Sequence, residues 1–256
     1  MEYWSSLEGV RENLRRGRDV NAADGFGIRP LHEALYGGED APTMVSLLLR
    51  AGARPNLRDS DGQTALRRLA GGATGTGTPE AEIARLLIRG GAEVNVRDEH
   101  DWTPLHATVA PGLLAVAQLL VEAGANPNAG MAFAAEPEKI PAGKDPSRWS
   151  RSPSRERRTS AVTPLHLAGF YLSGLHTSPI EFGEIVLRAG ADPQARTKHG
   201  STPIDFARVQ FEFNREWRRT VPAAWAVTEY RESWARSDER FPLFERLLAS
   251  HQSMRP

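Results

Sequence analysis

Apolar residues recur along the chain with the spacing of one buried helix face. The i, i+3, i+4 arrangement is present in four separate stretches: Met44, Leu47 and Leu48; Ile83, Leu86 and Leu87; Val116, Leu119 and Leu120; Phe182, Ile185 and Val186. Each stretch predicts a helix that buries a single stripe of side chains. One such helix cannot cover its own stripe, so the pattern predicts that neighbouring units stack on one another.

Two short phrases recur in fixed order around these stretches. A Thr-Pro-Leu-His phrase, or a variant of it, begins at Arg29, Thr64, Thr103, Thr163 and Thr202, and a Gly-Ala pair begins at Gly52, Gly91, Gly124 and Gly190. Thr followed by Pro is typical of a helix N-terminus, because the hydroxyl caps the helix and proline lacks an N–H that is not needed there. Glycine just past a helix end accepts a left-handed backbone. Asp-x-x-Gly connectors such as Asp24–Gly27 indicate turns.

The Thr-Pro-Leu-His-x-Ala phrase at a period of about 33 residues resembles the signature of ankyrin repeats. The resemblance extends from about Leu7 to Ala249. It implies an all-α ankyrin-repeat solenoid of stacked helix-turn-helix units with β-turn fingers, an N-terminal half-repeat cap and an enlarged helical C-terminal cap. We expect one domain over 1–256, with the N-cap at 1–23, repeats at 24–58, 59–97, 98–129 and 161–196, and a divergent last repeat with its cap at 197–256. The second unit departs most from the family, with Ala65, Arg67 and Leu69 in place of Pro, His and Ala.

One connector is far longer than the others. Asn128 and Thr163 are 35 residues apart, whereas the equivalent residues of the other connectors are eight apart. We therefore expect a flexible insertion at 130–160 within one finger. It carries the basic residues Arg148, Arg151, Arg155, Arg157 and Arg158 against the single acid Glu156. A solvated loop, a grip on an acidic protein or a nucleic acid, and phosphorylation of its serines all fit this composition.

Aromatic residues are concentrated in a second insertion, at about 211–239. They are Phe211, Phe213, Trp217, Trp225, Tyr230 and Trp234. Pro222 is expected to separate two extra helices here. We favour a cap that seals the hydrophobic face of the last repeat over a second binding site for the cluster of Trp217, Trp225 and Trp234.

Three features could suggest chemistry, but each has a structural interpretation that we favour. His32, His106 and His166 occupy the same position of different repeats, where the resemblance implies a histidine that braces a turn rather than a metal ligand. The glycine-rich stretch 71–78 lacks the Gly-Lys-Ser/Thr ending of a phosphate-binding loop. The acidic stretch from Asp98 to Asp101 lies in a turn connector, so a solvated loop tip is favoured over a catalytic dyad.

The amino-acid composition excludes several classes of protein. Lys+Arg and Asp+Glu both count 32, so no overall charge favours nucleic acid or membranes. The chain has no cysteine, which excludes disulfides and thiol chemistry. No apolar run approaches the roughly 18–20 residues of a membrane helix, and the N-terminus does not resemble a secretory signal. We expect a cytoplasmic, bacterial protein that is monomeric alone, with no cofactor, no metal and no catalytic residue.

The remaining signal is a strip of positions that face partners in the resembled family. They are Phe26, Ile28, Tyr36, Asp61, Gln63, His100, Trp102, Phe170, Tyr171, Lys198 and His199. Aromatic residues in such a strip favour a protein interface, although some of them could pack against the insertion or neighbouring fingers. We expect a non-enzymatic scaffold that captures a partner protein on its concave finger and helix surface, as an inhibitor of the immunity or antitoxin kind or as an adaptor. The alternatives are nucleic-acid association through 148–158 and an enzyme built on 205–256, for which the sequence offers no nucleophile–base pair.

Overall fold

The computed structural model describes residues 4–72, 79–133, 159–172, 178–220 and 228–252. Within these ranges the regular secondary structure is mostly helical. The helices are α1 (Leu7–Arg15), α2 (Pro30–Glu33), α3 (Ala41–Arg50), α4 (Ala65–Ala70), α5 (Glu80–Arg89), α6 (Pro104–Ala107), α7 (Leu114–Glu122), α8 (Pro164–Phe170), α9 (Pro179–Arg188), α10 (Pro203–Thr220) and α11 (Thr228–Gln252). Two short strands, β1 (Met131–Phe133) and β2 (Thr159–Val162), lie between α7 and α8.

The chain forms two compact units. The first comprises Met1–Thr108 and Ala115–Ala125, and the second comprises Val109–Leu114 and Asn126–Pro256. From α2 to α9, short helices that follow the Thr-Pro-Leu-His phrase or its variants alternate with longer ones, as the repeated phrases predict. The all-α repeat architecture expected from the sequence is confirmed.

The two recurring phrases form the helix ends that the sequence predicts. Thr64 caps α4 by accepting a hydrogen bond from the Arg67 N–H at 3.3 Å. At the other end, Gly52, Gly91, Gly124 and Gly190 all have φ between +87° and +93°. Each following alanine donates to the helix carbonyl five positions back, as in Ala53 N–H to Leu48 C=O at 2.9 Å. This is the Schellman arrangement, in which glycine avoids the strain of a left-handed backbone.

The predicted apolar stripes form the core of the first unit. Met44 and Leu48 of α3, and Ile83 and Leu87 of α5, are completely buried. The intervening i+3 residues, such as Leu47, are half-buried at the edge of the stripe. At the chain start, α1 buries Val10 and Asn13 and keeps its other face polar.

The second unit is packed around large aromatic side chains. Phe182, Phe206 and Phe244 are fully buried, on α9, α10 and α11 respectively. The closest approach is between α8 and α10, where a Cβ built on Gly169 would lie 2.5 Å from the Pro203 carbonyl oxygen. A glycine at this position therefore sets the spacing of the two helices.

Within the described residues, the C-terminal insertion lengthens the two helices of the last repeat. Helix α10 runs without interruption from the Thr-Pro phrase to Thr220, and α11 runs from Thr228 through the last apolar stripe to Gln252. Residues 221–227, with Pro222 and Trp225, lie outside the described residues, as does the side chain of Trp217. Trp234 is buried, and Phe211 stacks on Phe241 at 4.7 Å.

The long connector begins and ends as a two-stranded antiparallel ribbon. Met131 pairs with Val162 and Phe133 with Thr159, with an irregularity between the two pairs. The one extra residue in β2 coincides with Ala161, whose φ is +66°. A bulge of this kind bends a ribbon and increases its twist. The middle of the insertion, 134–158, lies outside the described residues.

Replacing Gly169 with alanine tests the close contact between α8 and α10. The added methyl group would collide with backbone, which cannot move as a flexible side chain can, so Gly169→Ala should lower the free energy of unfolding by about 1–3 kcal/mol. Gly25→Ala is the matched control, because a Cβ at Gly25 meets nothing within 4 Å. Urea unfolding measures both. Equal stability of the two variants would contradict the packing.

Candidate partner-binding surface

Each of the first three fingers is held together by one aspartate. The Asp24 side chain accepts hydrogen bonds from the N–H groups of Phe26 and Ile28 at 2.9 and 2.8 Å. Asp59 and Asp98 do the same for the residues two and four positions later in their own fingers. The carboxylate thereby satisfies backbone donors that a tight turn would otherwise leave unpaired, and it fixes the tip.

A left-handed residue closes every finger. Gly27, Gly62 and Gly200 have φ of +76°, +69° and +91°, and the same position is taken by Asp101 in the third finger and Ala161 in the fourth. Aspartate tolerates this backbone better than most residues, whereas alanine does not. The fourth finger therefore keeps the left-handed residue of the others at its base.

The first three fingers lie side by side in the first unit. A Cβ on Gly27 would approach the Ser60 backbone nitrogen to 3.1 Å, and one on Gly62 would approach the Glu99 side chain to 2.9 Å. Glycine at the closing position therefore adopts the left-handed backbone and also leaves room for the next finger to pack closely. The contacts make these fingers one continuous row.

The predicted partner-binding residues of the first unit differ in exposure. Phe26 is 82% exposed and Tyr36 is 47% exposed. Asp61 and His100 are exposed at finger tips, whereas Ile28, Gln63 and Trp102 are half-buried. Within the described residues, Phe26 and Tyr36 are two of three large apolar residues with this degree of exposure, the third being Leu243.

The other predicted residues lie in the second unit. Phe170 and Tyr171 are half-buried at the end of α8 and contact each other edge-to-face at 5.2 Å. Burial raises the pKa of Tyr171. Lys198 and His199 are exposed at the tip of the last finger. The basic residues Arg148, Arg151, Arg155, Arg157 and Arg158 lie outside the described residues.

The three repeat histidines are bound into the backbone of the fingers. The Thr163 N–H and hydroxyl both face Nδ1 of His166, at 3.2 and 2.8 Å. An N–H can only donate, so Nδ1 is the acceptor and the proton is on Nε2, which donates to the Ser201 carbonyl at 3.1 Å. His32 donates in the same way to Gln63 at 3.0 Å, and His106 is held by Thr103 at 2.8 Å. This is the bracing role that the resemblance implies.

No group of three or more His, Asp or Glu suited to a metal ion is present among the described residues, and none of the described helices is long and apolar enough to cross a membrane. The glycine-rich stretch begins with Gly71 and Gly72, at the end of α4, and 73–78 lie outside the described ranges. The Asp98 side chain accepts hydrogen bonds from the Trp102 N–H in its own finger and from Nε of Arg67.

The departure of the second repeat from the family pattern has a structural reason. Arg67, which replaces the usual histidine, donates from Nε to Asp98 at 3.1 Å, and its Nη2 lies 2.9 Å from the same oxygen. Its guanidinium group also lies 5.5 Å from the centre of the Trp102 ring. Arg67 thus reaches the next finger, as His32 and His166 do, but binds a side chain rather than a carbonyl group.

Arg68 forms a second network that sequence reasoning missed. It donates to Asp59 from Nε at 2.8 Å and lies 2.8 Å from Asp61 and 3.5 Å from the Tyr36 hydroxyl. Burial alone would raise the pKa of Asp59, but the Gln63 N–H and the Arg68 guanidinium together lower it. An arginine one position past the usual histidine is the signal that could have indicated this network.

The loop asparagines, which mark the period in the sequence, clamp consecutive repeats. Asn56 donates to the Gly91 carbonyl at 3.0 Å and accepts from the Glu93 N–H at 2.8 Å. Asn21 and Asn128 make the same pair of bonds to their neighbouring loops. One amide group therefore satisfies a helix-end carbonyl and a loop N–H of the next repeat.

Acid should weaken the fold through His166. Burial lowers the pKa of His166 to about 4, although hydrogen bonds to Ser201 and Ala195 oppose the shift. Since the unfolded value is about 6.5, the unfolded chain binds more protons between these two pH values. The free energy of unfolding should therefore fall by about 3 kcal/mol as pH drops from 6.5 to 4. Urea unfolding should show a shallower pH slope for His166→Gln and the wild-type slope for His199→Gln; equal slopes in all three would contradict this.

Removing Arg67 tests its link to the next finger. Arg67→Met should lower the free energy of unfolding by about 1–3 kcal/mol, because the buried Asp98 carboxylate loses its cation. Arg85→Met is the control, since Arg85 is exposed on α5 and no ion pair of its side chain is found in the described part of the chain. Chemical unfolding would refute the link if both variants were equally stable.

Comparison with known proteins agrees with this geometry. A family model described as ankyrin repeats, three copies, matches residues 31–131. A protein of Rickettsia bellii (strain RML369-C) described as an ankyrin repeat protein is 31% identical over 117 residues, which is 46% of this chain. The chain spans about a third of the length of that relative, 33%. Residues 31–131 are therefore ankyrin repeats, which makes this chain an ankyrin-repeat protein in that part of its length.

Proposed function

We propose that the chain is a non-enzymatic scaffold that captures a partner protein on the fingers and inner helices of its first unit. Ankyrin repeats generally mediate protein–protein interaction, and residues 31–131 match that family. The observation that carries the proposal is the 82% exposure of Phe26 on a finger tip held by Asp24. A large apolar side chain that the fold positions but does not bury favours a partner that covers it.

Phe26 and Tyr36 have the properties of interface anchors. Burying a phenylalanine side chain contributes about 1.5–3 kcal/mol. The Phe26 backbone is already fixed by the Asp24 carboxylate, and the Tyr36 hydroxyl lies 3.5 Å from Arg68. Little conformational entropy is then lost when a partner binds, which favours affinity.

The other predicted residues divide into a rim and a second patch. Asp61 and His100 supply polar groups beside the anchors, and the half-buried Ile28, Gln63 and Trp102 support them. Trp102 also contacts Arg67, so its loss would change packing as well as binding. We propose Phe170, Tyr171, Lys198 and His199 as a separate contact patch on the second unit.

We also propose a biological role for this binding surface. A stoichiometric inhibitor of the immunity or antitoxin kind, or an adaptor, needs only a binding surface of this type. Nucleic-acid association through residues 148–158 is the alternative, supported by five arginines against one acid in that segment. It predicts binding that weakens steeply with salt, because each neutralised phosphate releases counterions.

Alanine substitutions at the anchors test the proposal. Phe26→Ala and Tyr36→Ala should each weaken capture of the partner at least about tenfold, since hot-spot anchors contribute about 2 kcal/mol or more each. Their melting temperatures should stay close to that of the wild type, because both side chains are exposed. Leu243→Ala is the matched control, an exposed apolar residue on α11 of the second unit.

Affinity capture from source cells, with each variant immobilised, provides the measurement. The proposal requires a protein that survives nuclease treatment, is retained by Leu243→Ala and is lost by both finger variants. Retention by all three variants would contradict it. Capture that depends on nucleic acid and on the five arginines would favour the alternative.

A further inference from the structure

A cavity of about 360 Å³ lies at the base of the fourth finger, in the second unit. This volume is at the lower end of the range of ligand sites in proteins. Its lining comes from the start and end of the ribbon and from the following loop, and includes Asn128, Gly130, Ala161, Thr163, Asp192 and Arg196.

The cavity lies where three of the other four fingers carry an arginine; the first finger has Ala23 at this position. The residue two positions after the loop Asn or Gln is Arg58, Arg97 or Arg196 in three fingers, but it is Gly130 in the fourth. Each of these arginines donates from Nη1 to the carbonyl that closes its own finger, at 2.5, 3.4 and 2.9 Å respectively. A guanidinium therefore belongs to the finger base in three of the five fingers, and Gly130 leaves its place open.

The neighbouring repeats indicate which carbonyl groups would accept hydrogen bonds from a guanidinium group in the cavity. Arg58 donates to the Arg97 carbonyl of the next finger at 2.7 Å, and Arg29 donates to the Arg58 carbonyl at 3.0 Å. The next carbonyl in this series within the second unit belongs to Arg196, which lines the cavity. No hydrogen bond to that carbonyl is found in the described ranges.

The charged residues that line the cavity are compatible with a bound planar cation. Asp192 supplies a carboxylate to the cavity lining, and its Oδ1 accepts the Gln194 N–H at 3.1 Å. Arg196 also lines the cavity, but its Nη1 is bonded to the Gly200 carbonyl in its own finger. Two arginines on consecutive fingers can lie close together, as Arg58 shows by donating a hydrogen bond to the Arg97 carbonyl.

We propose that this cavity binds the guanidinium group of an arginine side chain that a partner molecule supplies. The chain itself cannot supply one from position 130, because a Cβ on Gly130 would lie 2.6 Å from the Cα of Ala161. The planar, multiply donating guanidinium matches several carbonyl groups beside a carboxylate, whereas an ammonium group does not. The site does not depend on the finger surface proposed above, so failure here leaves that proposal intact.

Calorimetric or NMR titration with arginine amide tests the site, with lysine amide as the comparison. Arginine amide should bind in the millimolar range and at least about tenfold more tightly than lysine amide, the equivalent of one charge-assisted hydrogen bond. Asp192→Asn should weaken arginine amide at least about tenfold, and Ala195→Leu should abolish binding by filling the cavity. Glu181→Gln, an exposed acid on α9, should bind like the wild type.

Two outcomes would overturn the proposal. Equal binding of the two amides, or no binding to the folded wild type, would exclude a guanidinium site. A variant with Arg148, Arg151, Arg155, Arg157 and Arg158 all replaced by glutamine distinguishes the source. If it bound arginine amide about tenfold more tightly than the wild type, an arginine of the chain itself would occupy the cavity, and the partner source would be wrong.

Discussion

No repeat buries its own apolar stripe, so the fold depends on contacts between consecutive repeats. Hydrogen bonds between those repeats hold them in register. The loop asparagines bond on both sides of their amide group to the next loop, as Asn56 does to Gly91 and Glu93. The repeat histidines bond to the next finger, as His166 does to Ser201. These contacts align neighbouring helices, so that side chains such as Leu48 and Leu87 meet in a dry core. Within each unit the repeats are thus linked by nearest-neighbour contacts, which position one finger against the next.

The same contacts explain where the sequence departs from its own period. Arg67 replaces the histidine of the second repeat, and the following finger meets it with the Asp98 carboxylate. In the first repeat, Arg29 replaces the capping threonine, and Nδ1 of the buried His32 finds no hydrogen-bond partner among the residues that the structure describes. In the last repeat, Asp205 replaces histidine and accepts from both the Thr202 N–H and hydroxyl, at 2.8 and 2.6 Å. Three different side chains therefore serve one position, two of them with a compensating partner.

The sequence predicted much of the fold because its signals are local. Glycine past a helix end, threonine before proline and the i, i+3, i+4 stripe each specify a few residues, and all were found where expected. The role of the loop asparagines was missed because their partners lie 29 to 64 positions away. For Arg68, Asp59 and Asp61 are only nine and seven positions away, but Tyr36 is 32 positions away. The extension of α10 and α11 was also missed, since Pro222 indicates a break but not how far the flanking helices run. Of the predicted surface residues, Trp102 was the least separable from packing, because an aromatic residue satisfies a core and an interface equally well.

The central claim is that a partner protein covers the exposed finger tip of the first unit. A photo-crosslinking residue placed at position 26, with the same residue at position 243 as a control, measures this contact directly in the source cell. The account predicts one discrete crosslinked protein from position 26 and none of that size from position 243. Crosslinking of the same protein from position 243 but not from position 26 would contradict it.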